Sequence, residues 1–109
     1  MTVDSLLRRV PSSVSLRSVT YDEEEAAVWQ TWMSDEERAC ITSFGSEKRR
    51  REFLAGRAAA RSLLGDCLDT TPEQVPLRRA ADDAVDVAGT DWQVSISHSG
   101  PHAIAGCAR

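Results

Sequence analysis

The sequence predicts an α+β domain, with helices packed on one face of a mostly antiparallel sheet. Three observations carry this. Read along the chain, the order is strand, helices, then strands. The segment WQVSIS alternates Trp92, Val94 and Ile96 with Gln93, Ser95 and Ser97, which is the period of a half-buried strand. One helical stretch, from a cap at Ser46 to about Leu68, is longer than any other element. A single long helix covers only one side of a four-stranded sheet, so an exposed apolar face or a missing partner is expected on the other.

Taken in order, residues 1–12 read as a leader stopped at Pro11, and 13–109 as one domain. SVSLRSVTY, from Ser13 to Tyr21, is β-branched and alternates imperfectly, giving a first strand. DEEEAAVWQTWM places Asp22 to Glu25 in a first turn, where carboxylates favour the helix dipole. Ser34 with Glu37 three residues on is a capping box for a short helix reaching about Ser43. Phe44 and Gly45 end it, and Ser46 opens the long helix. Pro72 and Pro76 bracket a loop, Val75 to Arg78 form a short strand, and ADDAVDVAGTD is acidic and weakly patterned. Ser99-Gly100-Pro101 is turn chemistry, after which Ala103-Ile104-Ala105 returns apolar. The last two strands are expected to leave a free sheet edge.

A chain of 109 residues suits one modest core. No signal peptide or membrane span is visible, and a cytoplasmic protein is expected. Cys40, Cys67 and Cys107 are odd in number, widely spaced and without a CxxC, which points to buried or idle thiols in a reducing compartment. The net charge of −4 argues against a general nucleic-acid role. Charge is nonetheless segregated: DEEE and SDEE are acidic, whereas EKRRRE at 47–52 is strongly basic.

Two groups of residues hold possible chemistry. On the long helix, Arg50, Arg57 and Arg61 fall within about 40° of one another, beside the apolar arc of Phe53, Gly56, Ala60, Leu63, Leu64 and Cys67. Guanidiniums at a core boundary either offer forks to an anion such as phosphate or snorkel and pair with nearby glutamates. Both readings stand on spacing alone. The small run Ala55, Gly56, Ala58, Ala59 and Ala60 permits tight helix-on-sheet packing. His98, at a strand end between Ser97 and Ser99, either contacts a phosphate or caps its own turn. SHSG lacks the strand-to-helix GxSxG elbow of a serine hydrolase, there is no Gly-rich phosphate loop, and the two histidines lack zinc-helix spacing.

Together, SDEERACITSFGSEKRRREFLAGRAAARSLLGDCL and WQVSISHSGPHAIAGCA resemble the surfactin-synthetase-type 4′-phosphopantetheinyl transferases over residues 34–109. Either motif alone is weak, and their combination at this spacing is fairly specific. The resemblance implies a half-fold in which a long helix packs on a mostly antiparallel sheet. It implies transfer of the phosphopantetheine arm of coenzyme A to a serine of an acyl or peptidyl carrier protein, with magnesium. It further implies that Arg57 and Arg61 contact the coenzyme A phosphates, that Lys48, Arg49 and Arg50 form a basic entry doing likewise, and that Ser97 and His98 touch the nucleotide 3′-phosphate.

Two departures qualify what is carried over. The family's Gly-Lys-Pro segment before the SHS strand is not found in DDAVDVAGTDW. The GVD(I/V)E strand and WxxKEA helix, which bear the acidic magnesium ligands and the transfer chemistry, are not among these residues. The expectation is therefore a coenzyme A-binding N-terminal half that contains no catalytic or metal residue and is inactive alone. Its partners would be a carrier protein and a complementary C-terminal half or a second copy. The alternatives are a non-catalytic nucleotide-binding or partner-pairing module, and a structural domain without ligand.

Overall fold

Each helix begins on a residue whose side chain accepts a hydrogen bond from its first turn. In the computed structural model, which describes residues 14–79 and 85–109, α1 is Glu23–Trp32, α2 is Asp35–Ser43 and α3 is Glu47–Cys67. Asp22 accepts from the Glu25 amide at 3.0 Å and Ser46 from the Arg49 amide at 3.2 Å. At α2 the box is reciprocal: the Glu37 amide donates to Ser34 Oγ, and the Ser34 amide to Glu37 Oε1. The expected leader at 1–12 lies outside the described residues.

Five strands form one sheet, the first before the helices and four after them: β1 Ser15–Thr20, β2 Leu77–Arg79, β3 Val85–Val87, β4 Gln93–Ser99 and β5 His102–Ala108. Their spatial order is β1-β5-β4-β3-β2, every pair antiparallel. The fold class is therefore as expected, with one strand more. β3 sits inside the acidic segment, where Val85 and Val87 carry too short an alternation to stand out. A 3-10 turn at Pro72–Gln74 fills the Pro-bracketed loop, and β2 begins at Leu77, two residues later than its sequence suggests.

The free edge expected at the last two strands is present on β4 and absent on β5: β4 meets β3 only where Gln93 stands opposite Asp86, so Val94 to Ser99 have no strand on their outer side among the described residues. β1 pairs with β5 along its whole length, from Ser15 opposite Cys107 to Thr20 opposite His102, so β5 is internal. The outermost strands are β1 and the three-residue β2, and the short β3 leaves most of β4 open on that side among the described residues. β4 and β5 form a hairpin closed by Gly100 and Pro101, with Gly100 at φ +59, a conformation glycine adopts without steric cost.

α3 packs along one sheet face, and α1 and α2 pack on α3. Ala59, Ala60, Leu63 and Leu64 of α3 meet Val75, Leu77, Val87, Ala105 and Cys107. Ala55 and Ala58 join Ala26, Trp29 and Met33 of the α1 layer over Ala103. Ala58, Ala59 and Ala60 are fully buried, which is what the small run anticipated: without bulk on that arc, the helix backbone comes close to the strands. The other sheet face carries Leu16, Ser95, Ser97, Ile104 and Gly106 around a shallow groove of about 330 Å³. This face is mixed, with Val14, Leu16 and Ile104 beside Ser95 and Ser97, and among the described residues the exposed large hydrophobic is Val28 of α1.

Candidate functional site

The start of α3 and the β4–β5 hairpin enclose a cleft of about 300 Å³. Lys48, Arg51, Glu52 and Ala55 line one wall, spaced three, four and seven residues apart so that one helix face presents them all. His98, Gly100 and His102 line the other, and Tyr21 closes the floor. Tyr21 is fixed from both sides: its amide donates to Pro101 O at 2.8 Å, and its ring meets Trp29 edge-on with centroids 6.2 Å apart.

Arg51 is held over this floor. Its guanidinium carbon lies 5.1 Å from the Tyr21 ring centroid, and its nitrogens are 3.3 Å from Glu23 and 3.4 Å from Glu47. Lys48 stands 4.0 Å from Glu52 with its side chain 82% exposed. Such solvent-facing pairs are worth about 0–1 kcal/mol, so an incoming anion can replace a carboxylate at little cost. Glu47 is held below the ordinary carboxylate range, first by the hydrogen bond from Arg50 and then by the Arg50 and Arg51 charges.

His98 reaches the cleft because Gly56 has no side chain. A β-carbon at Gly56 would stand 2.7 Å from His98 Nε2 and 2.7 Å from Ile96 Cγ2. The imidazole thus lies across the helix backbone, one turn beyond Glu52. Nearby, Thr20 Oγ1 and His102 Nδ1 are hydrogen bonded at 2.9 Å, tying the hairpin to β1.

The arginines separate into two places. Arg49 stacks over Phe44 at 5.1 Å, and Arg50 donates to Phe44 O at 2.7 Å and to Glu47 at 3.1 Å, so both brace the entry of α3. Arg57 and Arg61 turn away from the cleft toward α2. Arg61 is 2% exposed and donates to Glu37 Oε1 from Nε at 2.9 Å and from Nη2 at 2.6 Å. Its Nη1 donates to Pro72 O at 3.0 Å and Val75 O at 2.8 Å. Arg57 lies over the Phe53 ring at 4.8 Å, and its Nη1 is 3.6 Å from Glu37 Oε2, a buried oxygen without a hydrogen bond. Burial lowers the Arg57 pKa below its ordinary value, and the Glu37 charge opposes that shift.

The expectation that Arg61 grips phosphate does not fit this geometry, because a buried guanidinium that makes four hydrogen bonds to three protein oxygens has no face left for a ligand. Arg57 is engaged in the same cluster. Ser97 and His98 also part company: successive strand residues point to opposite faces, and Ser97 lies on the serine-lined groove. Of the residues expected to meet coenzyme A, Lys48 and His98 share the cleft. Arg51 and Tyr21 also line it and were not named from the sequence, although the 48, 51, 52, 55 helical row was available to place Arg51 there. Among the described residues no group of three or more His, Cys, Asp or Glu side chains is placed to hold a metal. No helix among them is long and apolar enough to cross a membrane.

The same fold is present in a holo-(acyl-carrier-protein) synthase from Bacillus anthracis str. Ames in complex with CoA (3′,5′-ADP), with a TM-score of 0.69 at 19% identity over 87% of this chain and 92% of that one. It is also present in the Helicobacter pylori holo-[acyl-carrier-protein] synthase in complex with coenzyme A, with a TM-score of 0.64 at 13% identity over 87% and 97%. No curated protein matches by sequence. Residues 36–108 match the model of the 4′-phosphopantetheinyl transferase N-terminal domain, and the chain belongs to that family.

Proposed function

We propose that this chain is the coenzyme A-binding N-terminal half of a 4′-phosphopantetheinyl transferase, of the surfactin-synthetase type that its motifs resemble. The observation that carries the reading is the cleft itself, where Lys48, Arg51 and His98 converge on a floor of Tyr21. Two cations in solvent-facing ion pairs and an imidazole suit a phosphate. Lys48, Arg51 and His98 take the nucleotide 3′-phosphate. Arg49 and Arg50 shape the entry of α3 and add positive potential there. Arg57 and Arg61 act as positioning residues, holding α2 and the 3-10 turn against the helix that carries the site.

In the transfer, the carrier-protein serine oxygen attacks the β-phosphate of coenzyme A and 3′,5′-ADP leaves. The contribution of this chain is to anchor the nucleotide, so that binding energy from that remote end orients the reacting phosphate. Magnesium, the family's metal, would neutralise the pyrophosphate. Glu47 and Glu52 at the cleft are paired with Arg50, Arg51 and Lys48, so the described residues do not by themselves make a magnesium site. The acidic ligands and the base then belong to a complementary C-terminal half or a second copy, and the site of action is the cytoplasm.

Calorimetric titration of the protein, with its complementing half where one is needed, tests the reading. Coenzyme A is expected to bind more tightly than dephospho-coenzyme A. Equal affinities for the two would remove the 3′-phosphate assignment.

A further inference from the structure

Cys67 ends α3 and Cys107 lies near the end of β5, 40 residues on, yet their sulfur atoms are 3.8 Å apart. Cys107 is 2% exposed within the main core cluster, and Cys67 is half-buried at its rim. The third thiol, Cys40, is on α2 against Arg79 Nη1 at 3.8 Å. Idle thiols in a reducing compartment were expected. Two of the three instead lie within a small side-chain movement of bonding distance.

We propose that Cys67 and Cys107 are a redox pair that closes to a reversible disulfide when a peroxide reaches Cys67, clamping the end of α3 to β5. The Cys67 thiolate attacks a peroxide oxygen, the O–O bond breaks, and the departing hydroxide takes a proton to become water. The product is a sulfenic acid on Cys67. The Cys107 sulfur then attacks the Cys67 sulfur, the S–O bond breaks, and water leaves with the Cys107 proton. A dithiol reductant returns both thiols by exchange.

The order of events follows from burial. Cys107 is pushed up to about 12 by desolvation, then by its hydrogen bond with Cys67, and stays a thiol screened from oxidant. Cys67 must therefore be oxidised first, and Cys107 serves as its resolving partner. The clamp falls at the far end of a 21-residue helix from Lys48 and Arg51, so it braces the fold without touching the cleft.

The test uses the full chain with Cys40→Ser, treated with hydrogen peroxide and mapped by alkylation and peptide mass spectrometry. Cys67 and Cys107 are expected to lose alkylation together, to appear as one cross-linked peptide, and to recover with dithiothreitol. The melting temperature is expected to rise by several degrees on oxidation, as closing a long loop predicts. With Cys67→Ser added, Cys107 should remain alkylatable after denaturation and the melting temperature should not move. Overoxidation of Cys67 with Cys107 left free, oxidation of Cys107 in the Cys67→Ser protein, or a cross-link that leaves the melting temperature unchanged would each overturn the proposal.

Discussion

Gly56 and His98 are in direct opposition: a β-carbon on the glycine would stand 2.7 Å from the imidazole Nε2 and equally close to the Ile96 methyl. The histidine's position in the cleft therefore depends on a missing side chain in the facing helix. Gly56→Ala gains about 1 kcal/mol of helix propensity. It must also displace an exposed ring that can move and an Ile96 methyl that packs on the core. Overpacking of this kind costs about 1–3 kcal/mol. The expected net result is lower stability in urea unfolding, with a displaced His98 imidazole resonance. An unchanged His98 spectrum would show that the ring is not seated on Gly56.

Arg61 and Glu37 are expected to matter for folding and not for ligand affinity. Arg61→Met leaves Glu37 3% exposed with one amide bond and no guanidinium at Oε1, and breaking such a buried pair costs about 3–5 kcal/mol. The folded fraction of the variant should bind coenzyme A as the parent does. Unfolding curves with titration under stabilising osmolyte separate the two. A large affinity loss with unchanged stability would return Arg61 to the binding surface.

The cleft variants should behave in the opposite way. A charge-assisted hydrogen bond contributes about 1.5–3 kcal/mol, so Arg51→Ala, Lys48→Ala and His98→Ala should each weaken coenzyme A binding by roughly ten- to a hundred-fold. Folding stability should change little, because the ion pairs of Arg51 and Lys48 are exposed. His98→Ala should also abolish any preference over dephospho-coenzyme A, read from the same titrations.

The capping box at Ser34 and Glu37, the long helix, the β4–β5 hairpin and the Ala55–Ala60 packing strip were legible in the sequence because each depends on local spacing. Partner choice was not. Glu37 reads as a cap, yet its Oε1 also takes two Arg61 donors 24 residues away. That choice decides whether the arginine row faces a ligand or the core boundary, and helical angles alone leave both open. β1 beside β5 depends on contacts 82 residues apart, such as Thr20 with His102, which no window reveals. In the cleft, His98 and Lys48 are residues that the motif also names, while Arg51 was overshadowed by the basic run around it.

Glu47 offers a pH test. Arg50 donates to it and holds its carboxyl below the ordinary 4.5. A carboxyl whose folded pKa is depressed contributes stability above its unfolded pKa, and that contribution is lost as pH falls through the folded value. The small stabilising effect is thus complete above about pH 4.5 and disappears in acid. In Arg50→Ala, the Glu47 side-chain carbon should titrate at higher pH than in the parent by nuclear magnetic resonance. Superimposable titration curves would assign the depression to another group.

Ser97 and His98 are adjacent in sequence and face opposite sides of the sheet, which separates two roles that the SHS motif merges. His98 opens on the cleft, while Ser97 lines the groove of about 330 Å³ with Leu16, Ile104 and Gly106. No helix covers that face among the described residues, so it is the face available to a second half or a second copy. Ser97→Ala should therefore leave coenzyme A affinity within a factor of about two, since no cleft contact is removed. Ser97→Arg places a long cation on a face that must desolvate to pair, and should weaken association measured by sedimentation velocity or light scattering while the isolated chain remains folded. If Ser97→Ala instead lowers coenzyme A affinity as much as His98→Ala does, the ligand reaches past the strand end, and the cleft is only part of its site.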